Sequence, residues 1–161
     1  MPKIYAIILF FFVFLNFNSY AQKKSIRAKS ITENIIVDGK INESIWKSAD
    51  IATDFVMFEP DNGRPISLDK KTEVKILYDN DAIYIAALLY DNEPDKIQKE
   101  ITNRDVFGVS DTFSVSINGF NDGQQDFRFF VSAAGVQMDC LATEDLEDFS
   151  WDAIWDSEMT L

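Results

Sequence analysis

Polar side chains alternate with apolar ones along three consecutive segments in the second half of the chain. The segments are "DTFSVSIN", "DFRFFVS" and "VQMDCLA", and this alternation predicts half-buried strands. If the strands are neighbours, one outward face combines hydroxyl, amide, carboxylate, guanidinium and aromatic groups: Ser114, Ser116, Asn118, Asp126, Arg128, Phe130, Gln137 and Asp139. Such a face suits a sugar, because hydroxyls need paired polar groups and ring C–H faces stack on aromatic rings. A solvated sandwich face gives the same pattern and is the commoner case.

A second group of candidate residues lies in "TEDLEDFSWDAIWDSEMTL" near the end of the sequence. Calcium binds several oxygen ligands at once, so this acidic stretch suggests a calcium site, although its spacing does not match an EF-hand loop. A solvated acidic loop is the commoner alternative, and no metal ligand can be assigned. Trp151 and Trp155 are four residues apart and share a side in a strand or a helix, either as core residues or as a stacking platform.

Other residue types exclude whole classes of chemistry. The chain has no histidine, which excludes Ser-His-Asp and Cys-His nucleophiles and HExxH metal sites. Its one cysteine, Cys140, allows no internal disulfide and lies in a predicted strand, so a small core residue is expected there. Two-carboxylate glycosidase chemistry remains open, but 27 acidic residues single out no pair. Arg104-Asp105 is either a ligand-orienting pair or, more commonly, an ion pair that ties a loop.

The N-terminal stretch "MPKIYAIILFFFVFLNFNSYA" has the features of a secretory signal peptide, residues 1–21. It contains one lysine, an apolar run and small residues before Ala21, and it is too short for a membrane-spanning helix. No cysteine follows the apolar run, so no lipid anchor is expected. We therefore expect export to the periplasm, the cell envelope or the medium. The net charge of −12 argues against nucleic acid and anionic membrane surfaces as partners.

Residues 22–161 are expected to form one all-β domain, an antiparallel β-sandwich with one or two short helices. "TEVKILYD" and "AIYIAALLYD" predict a hairpin around Asn80-Asp81, and the second strand, apolar on both sides, is expected to be central and covered. "PDKIQKEI" and "INESIWKSA" predict the short helices. Asn34–Val37 predicts a strand that ends at the turn pair Asp38-Gly39.

Trp46 is expected to be structural. With Asn42 as the helix N-cap, Ile41 and Trp46 have the spacing of a hydrophobic staple, which would fix one helical turn against the preceding strand. Stacking of Trp46 on a ligand is the less common alternative.

The stretch "IIVDGKINESIWKSAD" resembles the opening of family 9 carbohydrate-binding modules and their relatives. The resemblance continues in order through "TEVKILYDNDAIYIAALLYD", "RDVFGVSDTFSVSIN" and "FRFFVSAAGVQMD", and it covers roughly residues 31–155. The sequence is similar in particular to the form of this module found at the N-terminus of large exported proteins of Gram-negative bacteria, where the module precedes an outer-membrane barrel. The resemblance implies a β-sandwich that binds glycans without catalysis, with bound calcium in the best-understood type.

Carried over by position, the resemblance places Arg128 where the family has a sugar-binding arginine. Ser114 stands where a glutamate is expected, and Phe107 is the one aromatic available for the first of two clamping tryptophans. The place of the second falls beyond Leu161, as do further family strands, so we expect C-terminal strands to be missing and the chain to continue into a larger region.

Together these observations predict a non-catalytic domain that binds an oligo- or polysaccharide in an exported protein linked to carbohydrate catabolism. The predicted binding residues are Arg128, Ser114, Asn118, Phe107, Phe130, Gln137, Asp139 and Trp151. The alternative is a structural or gating N-terminal domain of an outer-membrane barrel protein, without sugar binding.

Overall fold

A computed structural model describes residues 24–161, so the predicted signal peptide lies outside the described residues. Within this range the protein is all-β and sandwich-like, with seven strands in two sheets. Among the described residues, no helix has the length and apolar character needed to cross a bilayer. The fold class expected from alternation is therefore confirmed.

The first sheet has three strands in the order β1-β2-β3. Lys29–Ser30 (β1) pairs in parallel with Thr72–Tyr78 (β2), which forms an antiparallel hairpin with Ile83–Leu89 (β3). Asp79 holds the tight turn of this hairpin, because its carboxylate accepts the backbone amides of Asp81 and Ala82, each at 2.8 Å. These two amides and the Tyr84 hydroxyl lower the pKa of Asp79.

The expectation that the second hairpin strand is central is wrong. β3 is an edge strand of the three-stranded sheet, and Ile83, Leu88 and Leu89 are exposed. A strand with apolar residues on both faces is usually packed against other elements on both sides. Here only one face of β3 is packed closely. That face contributes Tyr84 and Ala86 to the core cluster.

The core of the first sheet is built around Trp46. This side chain is 4% exposed and clusters with Ile31, Leu77 and Ala86, while Ile41 packs against the same cluster. The Glu43 carboxylate accepts the Ile36 amide at 3.1 Å and the Trp46 indole N–H at 3.2 Å. Accepting the Ile36 amide is the main reason that the pKa of Glu43 is lowered. The structural role expected for Trp46 fits this placement.

Several short elements differ from expectation, beginning with the turn that carries Trp46. This turn is a 3₁₀ helix, Ser44–Ser48, and Glu43, not Asn42, is its N-cap. Residues 34–37 form no ladder, although Gly39 has the positive φ of 74° that the turn pair predicted. Of the helix expected over 94–101, only the 3₁₀ turn Pro94–Lys96 forms, and a further short 3₁₀ turn spans Leu68–Lys70.

The second sheet has four antiparallel strands in chain order: Thr112–Ile117 (β4), Gln125–Ser132 (β5), Gln137–Thr143 (β6) and Glu147–Asp148 (β7). The three alternating segments thus form neighbouring strands, as expected. The register pairs Ser116 with Arg128 and Arg128 with Cys140, so these three side chains share one face.

That register contradicts the expected composite face. Phe129 pairs with Asp139 and Val131 with Gln137, so Gln137 and Asp139 point to the face opposite Arg128. The cause is the turn between β5 and β6, in which Gly135 has a φ of 77° and its amide donates to the Ser132 carbonyl at 2.8 Å. Because side chains alternate with a period of two, a one-residue change in such a turn exchanges the two faces of the following strand.

Candidate functional site

The open part of the Arg128 face forms a surface that we call the shelf: Ser114, Ser116, Arg128, Phe130 and Phe107. Ser114 lies opposite Phe130 and Ser116 opposite Arg128 in the β4–β5 register, and both hydroxyl side chains are exposed. Within residues 24–161, β4 has no further strand beside it, so the shelf reaches the edge of the sheet. It is a shallow and accessible surface.

Arg128 is held over the shelf by two carboxylates. Its guanidinium donates to the Glu147 carboxylate and lies 3.7 Å from that of Asp126. The Arg128 side chain is 30% exposed, and both of its partners are more exposed than it is. The group therefore offers charged donors and acceptors side by side, which is what a sugar hydroxyl uses when it donates one hydrogen bond and accepts another.

Phe107 supplies an aromatic ring beside these groups. It is 48% exposed and makes an edge-to-face contact with Phe130, with ring centroids 5.1 Å apart. Phe149 makes a second edge-to-face contact with Phe107 at 5.6 Å and lies 6.4 Å from Phe130, so the three rings form one cluster. The ring is thus fixed by two aromatic neighbours while half of its surface stays open to a ligand.

The remaining predicted residues do not join the shelf. Trp151 packs against Phe127, with ring centroids 5.3 Å apart, and therefore lies on the opposite face of the sheet. Asn118 follows β4, is half-buried, and its side-chain oxygen accepts the Asp122 amide at 3.3 Å. Cys140 is buried on the Arg128 side, and burial raises the pKa of its thiol.

Asp139 is the centre of a second polar cluster, on the opposite face. It is 0% exposed, and its carboxylate accepts hydrogen bonds from the Arg104 guanidinium, the Ala153 amide at 2.6 Å and the Trp155 indole at 3.1 Å. Its own amide donates to the Asp105 carboxylate at 3.0 Å. A buried carboxylate of this kind needs all of its partners, because an unpaired charge in the interior is very costly.

Arg104 connects this cluster to three chain segments. Its guanidinium donates to the Gln137 side chain at 2.9 Å and the Ala153 carbonyl at 3.2 Å, and it lies 3.3 Å from the Asp105 carboxylate. Gln137 in turn donates to the Trp155 carbonyl at 3.1 Å. The Arg104-Asp105 pair therefore does tie a loop, and it also holds the C-terminal segment on the sheet.

The two C-terminal tryptophans share one side, as their spacing predicted. Trp151 and Trp155 both make edge contacts with Phe129, at centroid distances of 6.2 and 5.2 Å. Both are half-buried, so they pack on the inner side of the second sheet.

The acidic residues give no independent sign of a metal site. In the described part of the chain, the group of carboxylates close enough to share an ion is Asp105, Asp139 and Asp152, whose oxygens lie within 4.8 Å of one another. Arg104 already bonds to all three and supplies the positive charge that an ion would bring. In the acidic loop, Glu147 pairs with Arg128, and Asp148 accepts the Ser150 hydroxyl at 2.6 Å. Calcium binding stays a prediction.

Two open grooves lie between the elements. One, of about 780 Å³, separates the apolar residues of the β2–β3 hairpin from Val115 and Ile117 of β4. The other, of about 900 Å³, runs between residues 35–37, 101–104, 134–137 and 155–158, and Arg104, Gln137 and Trp155 line it.

Sequence reasoning missed two partners that organise these surfaces. Glu147 in β7 lies 19 residues from Arg128, and Asp139 in β6 lies 35 residues from Arg104, which is in a loop; alternation does not reveal pairs so far apart in sequence. The usable signal was the unusual carboxylate within the apolar segment "VQMDCLA", since a charge in a core strand needs a partner.

Comparison with known proteins adds no relative. No family model, no curated protein and no solved structure matches this chain.

Proposed function

We propose that this chain is a non-catalytic carbohydrate-binding domain of an exported protein and that the shelf contacts the glycan. The observation that carries the proposal is Phe107. It is half-exposed, it is fixed edge-on against Phe130, and it stands on the same face as Arg128 and two exposed serines. An aromatic ring beside convergent hydroxyl and charged groups is the combination that a sugar ring uses.

Each part of the shelf has a role in this proposal. The open half of Phe107 stacks on the C–H face of a sugar ring, and its two aromatic neighbours keep the ring in place without an entropic cost on binding. The ion pair of Arg128 and Glu147 offers donors and an acceptor to one diol, while Ser114 and Ser116 extend the polar strip along β4.

The charge and shape of the shelf narrow the ligand class. A net charge of −12 repels anionic polysaccharides, so the proposed ligand is a neutral glycan. In the described part of the chain the surface reaches the sheet edge without a closing wall, which suits a few consecutive sugar units of a polymer better than an enclosed monosaccharide. Placement in the periplasm, the cell envelope or the medium belongs to the same proposal.

The proposal is tested by titrating the purified protein with neutral gluco-, xylo-, manno- and galacto-oligosaccharides and following the heat of binding. Phe107→Ala is expected to weaken binding of the recognised sugar by about fivefold or more, because stacking on an aromatic ring contributes about 1 kcal/mol or more. The matched control is Phe120→Ala, which removes a 70% exposed phenylalanine from the β4–β5 loop and should leave affinity unchanged.

Two results would contradict the proposal. Either no member of the panel binds to protein whose circular dichroism shows a folded β structure, or binding survives Phe107→Ala unchanged. The first result would favour a structural or gating domain of an envelope protein.

A further inference from the structure

The groove of about 900 Å³ lies away from the shelf, at the side of the sheet that carries Gln137 and Trp155. Aliphatic side chains line its outer part and remain open: Ile36 is 64% exposed and Ile101 is 84% exposed. Val37 and Val136 continue this lining. Neighbouring exposed aliphatic residues around a concave surface indicate a contact site rather than the ordinary scatter of surface residues.

The two long walls of the groove are chain segments without a strand partner. Side-chain exposure alternates along residues 151–160, as in an extended chain, yet neither this segment nor residues 35–37 belongs to a ladder. Backbone amides on both walls donate to no protein group within residues 24–161: Ile35, Val37, Asp156 and Glu158. Extended segments with free amides are the template for adding a strand.

The charge around the groove is negative. Asp156 and Glu158 line it, and Arg104, the one cation in its lining, is already bonded to three carboxylates. Five carboxyl groups thus surround one guanidinium. The groove therefore favours a positively charged ligand, and the protein's net charge of −12 strengthens this attraction.

We propose that this groove binds an extended peptide segment of a partner protein in which basic and aliphatic side chains alternate. The peptide backbone lies between residues 35–37 and 155–158 and pairs with their free amides. Because side chains alternate along a strand, its aliphatic side chains meet Ile36, Ile101 and Val136 while its basic side chains meet Asp156 and Glu158. This site is independent of the proposed glycan shelf, with which it shares no residue.

The test uses a fluorescent N-acetylated (Lys-Val)₃ peptide amide and fluorescence anisotropy with the whole protein. Saturable binding is expected, weaker at high salt, and weaker by about tenfold when alternate peptide amides are N-methylated, because the strand pairing is then lost. A (Glu-Val)₃ peptide should not bind.

Paired variants separate the groove from the general charge of the protein. The double variant Asp156→Asn/Glu158→Gln should weaken binding by about fivefold or more, while the control Glu144→Gln/Asp145→Asn removes the same charge from an exposed loop and should bind normally. The proposal is overturned by equal losses in both variants, by an N-methylated peptide that binds as well as the parent, or by no saturable binding. Displacement of the peptide by a neutral oligosaccharide whose binding ignores Phe107→Ala would also overturn it and make the groove the sugar site.

Discussion

Arg104 and Arg128 are both held by carboxylates on strands of the same sheet, but their surroundings differ. The main partner of Arg104 is Asp139, which is fully buried, whereas Asp126 and Glu147 leave a third or more of their side chains open beside Arg128. The Arg104 side chain is itself 37% exposed, so it is the buried carboxylate that makes this pair part of the fold, because Asp139 cannot be left without its donors. A partly exposed pair costs little to rearrange and keeps its hydrogen-bonding capacity for a ligand.

The strongest test of this contrast is Asp139→Ala. The change leaves the Ala153 amide and the Trp155 indole without their acceptor and removes one of several acceptors of Arg104, so we expect the free energy of unfolding to fall by about 2–5 kcal/mol. Urea unfolding followed by tryptophan fluorescence measures it. Asp152→Asn is the control, because Asp152 is 73% exposed and should change stability by no more than about 0.5 kcal/mol. A loss below about 1 kcal/mol for Asp139→Ala would remove the contrast.

A double-mutant cycle shows whether the loss comes from the pair itself. Arg104→Met alone strands a buried carboxylate, whereas Arg104→Met combined with Asp139→Leu removes both charges. We expect the double variant to be more stable than the sum of the two single changes predicts, by about 2 kcal/mol. Strict additivity in the same urea assay would mean that Arg104 and Asp139 act separately.

Replacing the shelf arginine by methionine should have the opposite effect, with little change in stability and a large loss of affinity for the sugar. Arg128→Met is expected to change the free energy of unfolding by no more than about 1 kcal/mol, because the ion pair is partly exposed. The buried Nε of Arg128 also has no hydrogen-bond partner in the described part of the chain, and removing it offsets part of the loss. Affinity for the recognised sugar should nevertheless fall by about tenfold or more, measured as heat of binding. Lost stability with intact binding would reverse the roles assigned to the two arginines.

The sequence pattern was enough to predict the all-β class, the β2–β3 hairpin and the strands β4, β5 and β6. It did not predict the two-residue strands β1 and β7 or the parallel pairing of β1 with β2. It could not predict which face of β6 carries Gln137 and Asp139, because that depends on the geometry of the turn that holds Gly135. The same limit explains why the predicted binding set divides, with Arg128, Ser114 and Phe130 on one face and Gln137 and Asp139 on the other. The position of Arg104 was equally hidden, since it lies in a loop where the following Asp105 has a φ of 61°.

The smallest expected effect concerns the turn at residues 148–150, which we call the corner. It directly follows Glu147, the partner of Arg128. Asp148 stabilises this corner by accepting the hydroxyl and the amide of Ser150, at 2.6 and 2.9 Å, and these two bonds lower the pKa of Asp148 from its ordinary value of 3.8. A carboxyl group whose pKa is lowered by folding stabilises the folded state fully above its ordinary value and loses that contribution as the pH falls through the folded value. Asp148→Asn should therefore be slightly less stable than the parent at pH 6, and the two unfolding curves should converge as the pH falls below 3.8. Asp139→Asn at pH 6 is the comparison. It should lower the free energy of unfolding more than Asp148→Asn does. It should also displace the C-terminal segment, which is seen as a change in the fluorescence of Trp155. If Asp148→Asn were as damaging as Asp139→Asn, the corner beside Arg128 would be part of the core support, and the distinction between a fold-holding and a ligand-facing arginine would fail.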